Sequence, residues 1–164
     1  MKTGIIIIFH NNEKEIDISF FINEIKQTKN LELCLVNNNS KDNTYNHLKQ
    51  ISEECNNVSV VNIKKFKSDI SAVKAGARFM SNNFNLNSLG YISTNLLKTN
   101  YKGLNSLIKA IKENQELINN YNIEVTKKQN IRLSLFHSLF SVIEYLKKLK
   151  VNNQFVNRQY LTKF

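Results

Sequence analysis

Leu31–Thr44 reads LELCLVNNNSKDNT, an apolar run that stops at an asparagine-rich polar turn and leads into a helix start. Such a run is the pattern of a buried strand whose carboxyl end opens onto a turn. The flanking residues extend the pattern in both directions. Thr3–Phe9, TGIIIIF, is a continuous apolar run and predicts a strand buried on both faces of a parallel sheet. His10-Asn11-Asn12-Glu13 follows as a polar turn. Ile16, Phe20, Phe21 and Ile25, with Ile18 and Ile22 widening the stripe, then predict a helix through about Thr28.

Downstream, Tyr45 to about Glu54 predicts a second helix carrying Leu48 and Ile51, and Val58–Ile63 a third strand. Ser68 is the expected N-cap of a third helix running through Met80. Asp69 lies in its first turn, and Ile70, Val73, Ala77 and Met80 would face the sheet. Ser81–Ser88 is expected as loop and Leu89–Thr94 as a fourth strand. This alternation predicts an α/β fold with a mostly parallel sheet and helices on both faces. Ligands of such sheets sit outside the carboxyl ends of the strands, which selects the turns after Phe9, Val36 and Thr94.

The remaining sequence predicts a helix over Tyr101–Ile118, with Leu104, Leu107, Ile108, Ile111 and Leu117 on one side, and a short strand over Tyr121–Thr126. Gln129–Lys150 predicts a long amphipathic helix, its stripe formed by Ile131, Leu135, Leu139, Val142, Leu146 and Leu149. A polar-aromatic tail, Val151–Phe164, follows. The expected division is residues 1–126 as the ligand-binding domain and 127–164 as a C-terminal helix and basic tail within the same compact unit.

A chain of 164 residues suits one domain with a real core. It contains no 18-residue apolar span and no basic-then-apolar leader, so a soluble, unexported, cytoplasmic protein is expected. Cys34 and Cys55 belong to no CxxC or Cys/His cluster and are expected as free thiols. The net charge is +10; residues 1–97 hold 11 Lys+Arg against 9 Asp+Glu, and residues 98–164 hold 12 against 4. The basic excess belongs mostly to the C-terminal part, where it can serve nucleic acid, an anionic membrane or a phosphorylated ligand.

Four segments together resemble the nucleotide-sugar-binding half of family-2 glycosyltransferases, the GT-A fold. Ile7–Glu13, IIFHNNE, is similar to the signature in which Tyr-Asn-Glu follows a strand and a proline: Asn12 and Glu13 match, Phe9 stands for the proline and Asn11 for the tyrosine. Leu35–Thr44, LVNNNSKDNT, resembles the V-D-D-G-S-x-D-N-T turn, with Asn37 and Asn38 replacing both aspartates and Asn39 the glycine. Ser71–Gly76, SAVKAG, resembles the A-A-V-R-A-G helix segment, and Gly90–Ile92 the strand leading into the Asp-x-Asp metal motif.

The resemblance implies a nucleotide pocket lined by Phe9, His10, Asn11, Asn12, Glu13, Asn37, Asn38, Ser40, Lys64, Lys74, Arg78, Thr94 and Asn95. An Asn carbonyl at 38, with 37, can accept from a uracil edge as the family's aspartate does. Asp42 is expected to cap the second helix. No Asp or Glu occurs between Asp69 and Glu113, so Ser93, Thr94 and Asn95 stand where the resemblance places metal-binding carboxylates. A divalent cation is therefore not expected, since hard cations need carboxylate oxygens in this role.

The leading expectation is a shortened, degenerate family-2-like protein, a pseudoenzyme that binds a nucleotide or nucleotide-sugar such as a UDP-sugar. It would act as an accessory in polysaccharide or glycoconjugate synthesis, with no catalytic residue assigned. One alternative is an active, metal-independent transferase that stabilises the departing diphosphate with Lys and Arg side chains. Another is an electrostatic nucleic-acid-binding module, disfavoured because no recognised motif accompanies the charge. Residues 129–150 carry three expectations: packing on the sheet, a homodimer or partner-protein interface, and peripheral contact with the inner face of a membrane.

Overall fold

The computed structural model describes residues 2–97, 103–121 and 139–151. Five strands form one parallel sheet: β1 (Lys2–Phe9), β2 (Leu31–Asn38), β3 (Val58–Ile63), β4 (Leu86–Ser93) and β5 (Phe140–Ser141), in the order β3-β2-β1-β4-β5. The helices are α1 (Ile18–Ile25), α2 (Thr44–Glu54), α3 (Asp69–Asn83), α4 (Leu104–Glu113), α5 (Gln115–Asn119) and α6 (Val142–Val151). Short 3₁₀ turns at Glu13–Glu15 and Thr94–Leu96 follow β1 and β4.

The order explains which face each helix covers. The chain steps from β1 to β2 to β3 in one direction and then returns to place β4 on the other side of β1. Right-handed crossovers then put α1 and α2 on one face and α3 on the other. The core follows suit. Ile5, Ile7, Phe9, Leu33 and Leu35 pack with α1, α2, α4, α5 and α6, whereas Ile6, Ile8, Cys34 and Val36 pack with α3. The reversal of order falls between β1 and β4, so the carboxyl ends of β1, β2 and β4 frame the crevice expected to take a ligand.

Helix α3 is held close to the sheet by small residues. Ala72, Gly76 and Ala77 are buried, and a methyl at Gly76 would come within 2.7 Å of Ile6 Cγ2. Ser68 Oγ accepts from Ser71 N and caps the helix as expected. Ile70 does not face the sheet; it is 70% exposed, because the packed stripe runs through Ala72, Val73, Gly76, Ala77 and Met80. Strand β4 begins at Leu86 within the segment expected as loop: Leu86 is buried, and Ser88 lies fully buried with its hydroxyl on Thr3 Oγ1.

The helix expected over 101–118 is two helices. Asn114 ends α4 by returning its amide to Ala110 O, and the break turns Ile118 inward while Leu117 is exposed. The Glu24–Lys112 ion pair joins α1 to α4. The single helix expected over 129–150 is also corrected. Phe140–Ser141 is a strand paired to Gly90–Tyr91, and the helix starts at Val142. Phe140 stacks on Tyr121 with ring centroids 3.7 Å apart, an anchor that favours extended pairing there over helical continuation. Tyr121 itself is helical. Residues 122–126, 129–138 and 152–164, with their expected strand, helix start and tail, lie outside the described residues.

Both cysteines are free and buried. Burial pushes the Cys34 thiol up to about 12. Among the described residues no helix is long and apolar enough to cross a membrane.

Candidate functional site

The turns after β1 and β2 are zipped together by asparagines. Asn11 adopts a positive φ of 53°, a conformation that asparagine tolerates better than most residues. Its backbone N–H donates to Ser40 Oγ at 3.0 Å, and its Oδ1 accepts from Lys41 N at 2.7 Å. Asn39 has φ 52°, which accounts for asparagine at the position where the resembled turn has glycine.

Asn12, almost wholly buried, ties three elements. Its N–H donates to Thr44 Oγ1 at the start of α2, and its Oδ1 accepts from His10 N at 2.7 Å and from Thr94 Oγ1 at 3.2 Å. Asp42 binds the first N–H of α2 and the hydroxyl of Thr44 through Oδ1, and Glu13 N through Oδ2. Burial works to raise the Asp42 carboxyl, but these hydrogen bonds outweigh it and hold the group below its ordinary range.

Asn38 and Asn37 are neighbours in β2 whose side chains leave opposite faces of the sheet. Asn38 points to the α3 side. Its Nδ2 donates to Lys67 O at 2.8 Å and its Oδ1 accepts from Lys67 N at 3.0 Å, so both ends of the amide are taken by one backbone residue of the β3–α3 loop. An aspartate could accept from that N–H but not donate to that carbonyl. His10 reinforces the latch. Its Nδ1 lies 2.7 Å from Asn38 O, and a carbonyl only accepts, so Nδ1 carries the proton and Nε2 accepts from Asn11 Nδ2 at 3.2 Å. The His10 ring also meets Phe66 edge-on, with centroids 4.9 Å apart.

Asn37 points the other way, toward α2. It is 3% exposed, its Nδ2 donates to Asn62 Oδ1 at 2.9 Å, and its own Oδ1 has no hydrogen-bond partner. The parallel register sets Asn37 directly beside Asn62. Both line a cleft of about 290 Å³ at the carboxyl ends of β2 and β3, together with Asn39, Ser40, Asp42, Tyr45, Asn46, Ile63 and Lys64. All but Ile63 are polar or aromatic with a polar tip. The volume lies at the lower end of small-molecule sites, enough for one ring system rather than a whole nucleotide-sugar.

The end of β4 is spent on internal bonds. Ser93 Oγ donates to Asp69 Oδ2 at 2.7 Å, and the Thr94 hydroxyl goes to Asn12. The carboxylate nearest this strand end therefore comes from the first turn of α3, singly and already engaged. Among the described residues no group of three or more His, Cys, Asp or Glu could hold a metal ion. This donor set does not fit a divalent cation.

Of the residues expected to line the pocket, the fold gathers Asn37, Ser40 and Lys64 on the cleft. His10, Asn11, Asn12, Glu13 and Thr94 form the framework behind it through the bonds above. Asn43 Nδ2 engages the Glu13 carboxylate at 2.9 Å. Phe9 is fully buried in the core. Asn95 is exposed at the end of β4, Lys74 lines a second, more apolar cleft beside β4, and Arg78 is exposed further along α3. Sequence reasoning missed Thr44, Asn62, Tyr45, Asn46 and Asp69. Asn62 left a signal as a polar residue within the apolar third strand, and Thr44 as the last residue of the resembled turn.

Residues 4–86, half of the 164-residue chain, match the family model described as Glycosyl transferase family 2. No curated protein matches the sequence at a significant level. Among solved structures, the chain is similar to S. aureus TarS at 15% identity and TM-score 0.46, covering 57% of this chain and 16% of that one. It is also similar to TarS 1-349 in complex with UDP, at 16% identity, TM-score 0.44 and coverage of 57% and 27%. A third similarity is to TarS 1-349 in complex with UDP-GlcNAc, at 15% identity, TM-score 0.45 and coverage of 57% and 26%. The chain thus spans less than a third of each of those proteins.

Proposed function

Because the chain belongs to glycosyl transferase family 2, we propose that it is a nucleotide-binding member of that family that works without a divalent cation, as an accessory rather than a transferase. The observation that carries this reading is the Asn37 Oδ1 atom: a buried acceptor with no donor, on a residue that lines a polar cleft at the strand ends. A buried polar atom left unpaired costs about 1–3 kcal/mol. A ligand N–H, such as that of a uracil ring, would recover this energy once the amide turns toward the cleft, because the oxygen is covered in the unliganded protein. Asn62, exposed and joined to Asn37, adds a second amide beside it. Tyr45 offers a ring for stacking, and Lys64 a cation for the first phosphate.

Against metal-independent transfer, the carboxylates near the strand ends already accept hydrogen bonds: Asp42 from Thr44 and the Glu13 N–H, Asp69 from Ser93, and Glu13 from Asn43. A general base for an acceptor hydroxyl is thus not supplied by these groups. Family membership combined with this site chemistry supports an accessory role in polysaccharide or glycoconjugate synthesis.

The test is calorimetric titration with UDP, GDP and their common sugar conjugates, each with and without manganese. Selective binding of one nucleotide, unchanged by manganese, is expected. Binding that requires manganese, or turnover of a nucleotide-sugar in the presence of an acceptor, would overturn the accessory reading.

A further inference from the structure

The first 97 residues are nearly balanced in charge, yet five of their cations fall within Lys64–Arg78: Lys64, Lys65, Lys67, Lys74 and Arg78. All five are exposed, and none makes an ion pair among the described residues. The one acid in this stretch, Asp69, is bound by Ser93. Between these cations stand two of the large apolar side chains that the fold leaves in solvent, Phe66 at 54% and Ile70 at 70% exposure. Ile70 borders a second cleft, of about 430 Å³, lined chiefly by Val73, Tyr91 and Leu139 with the Lys74 stem. Phe66 is held outward by its edge contact with His10 and by the latch of Lys67 on Asn38.

Exposed apolar side chains scattered singly need no explanation, but here Ile70 borders an apolar cleft and both residues are flanked along the chain by exposed cations that make no ion pair among the described residues. We propose that this face, formed by the β3–α3 loop and the first turns of α3, docks on an anionic phospholipid surface, with Phe66 and Ile70 entering the interface and the lysines meeting the headgroups. The chemistry favours lipid over nucleic acid. Single-stranded nucleic acid is gripped by successive aromatic platforms, whereas this face offers one exposed aromatic ring, Phe66, one aliphatic side chain and a cleft in which Tyr91 is half-buried. Basic residues bordering exposed apolar groups are the composition of an interfacial anchor. The face draws only Leu139 from residues 129–150, and shares only Lys64 with the cleft proposed for the nucleotide. Docking there would turn the carboxyl ends of the strands toward the bilayer.

The 164-residue chain is tested by co-sedimentation with vesicles of phosphatidylcholine alone and of phosphatidylcholine mixed with phosphatidylglycerol. Binding to the mixed vesicles only is expected. The Lys65→Glu/Lys67→Glu variant should lower that partitioning by more than about tenfold. Ile70→Ser, at an exposed position where folding is not at stake, should lower it several-fold with the charge unchanged. No binding to the mixed vesicles would overturn the proposal. So would binding indifferent to these variants, which would assign it to the C-terminal lysines. Tight binding of a single-stranded oligonucleotide at physiological salt, lost in the double variant while vesicles are ignored, would replace the lipid with nucleic acid.

Discussion

Asn37 and Asn38 are the same residue type, adjacent in one strand and almost equally buried, yet their amides have opposite fates. Asn38 is spent: each end of its amide is paired to the backbone of Lys67, and it fastens the β3–α3 loop to the sheet. Asn37 is half spent, with one end on Asn62 and the other unpaired beside a cleft. The pleat sends the two side chains to different faces, and what waits there decides which is structural and which is available. Burial and residue type do not separate the two; what singles out Asn37 is unspent hydrogen-bonding capacity on a residue that lines a cleft.

The largest expected effect is at the spent residue. Asn38→Leu leaves both the Lys67 N–H and C=O without their partner and should destabilise the fold by about 1–3 kcal/mol in denaturant titration. Asn38→Asp restores the residue type of the resembled turn and separates the two halves of the latch. Its carboxylate keeps the Lys67 N–H but faces the Lys67 carbonyl, so the introduced group would have a raised folded-state pKa. Stability tied to a raised pKa is fully present below the unfolded value, about 3.9, and lost as pH rises through the folded one. The deficit of Asn38→Asp relative to wild type should therefore be small in acid and largest at neutral pH.

Asn37→Leu should behave differently. Asn62 is exposed and can turn to water, so stability should change by less than about 1 kcal/mol while nucleotide affinity falls by tenfold or more. The smallest effect concerns Asp42, whose carboxyl sits below its ordinary range. A depressed folded pKa stabilises above the unfolded pKa and ceases to do so as pH falls through the folded value. The stability difference between wild type and Asp42→Asn should thus be present at neutral pH and shrink below about pH 4. The Cys34 thiol, raised to about 12 in a fully buried site, should resist a thiol reagent at pH 8 in the native protein and react once it is unfolded.

Much of this architecture was legible in the sequence, because buried parallel strands announce themselves by continuous apolar runs. Val58–Ile63 is bounded as expected, and β1 and β2 differ from expectation only at their ends. β4 was harder to delimit, since Asn87 and Ser88 break its apolar run although Ser88 is buried against Thr3. Two-residue β5 lay hidden in an amphipathic pattern, where Phe140 and Val142 serve strand and helix packing alike. The joining of the turns was legible: Asn11 and Asn12 after β1 hydrogen-bond Ser40, Lys41 and Thr44 after β2 and Thr94 after β4. Their individual roles were not, because the partner of Asn38 is a backbone group of Lys67 and leaves no side-chain signature. Asp69, read as a helix-turn acid, reaches Ser93 only once α3 crosses the sheet.

The most direct measurement is a side-by-side calorimetric titration of UDP into wild type, Asn37→Leu and Asn38→Asp, with and without manganese, on samples first shown to be folded. A cation-free site centred on Asn37 predicts manganese-independent binding to wild type, loss of tenfold or more in Asn37→Leu, and a much smaller change in Asn38→Asp. Unchanged affinity in Asn37→Leu together with a gain, and a manganese requirement, in Asn38→Asp would contradict it, and would return the base to the α3 side of the sheet.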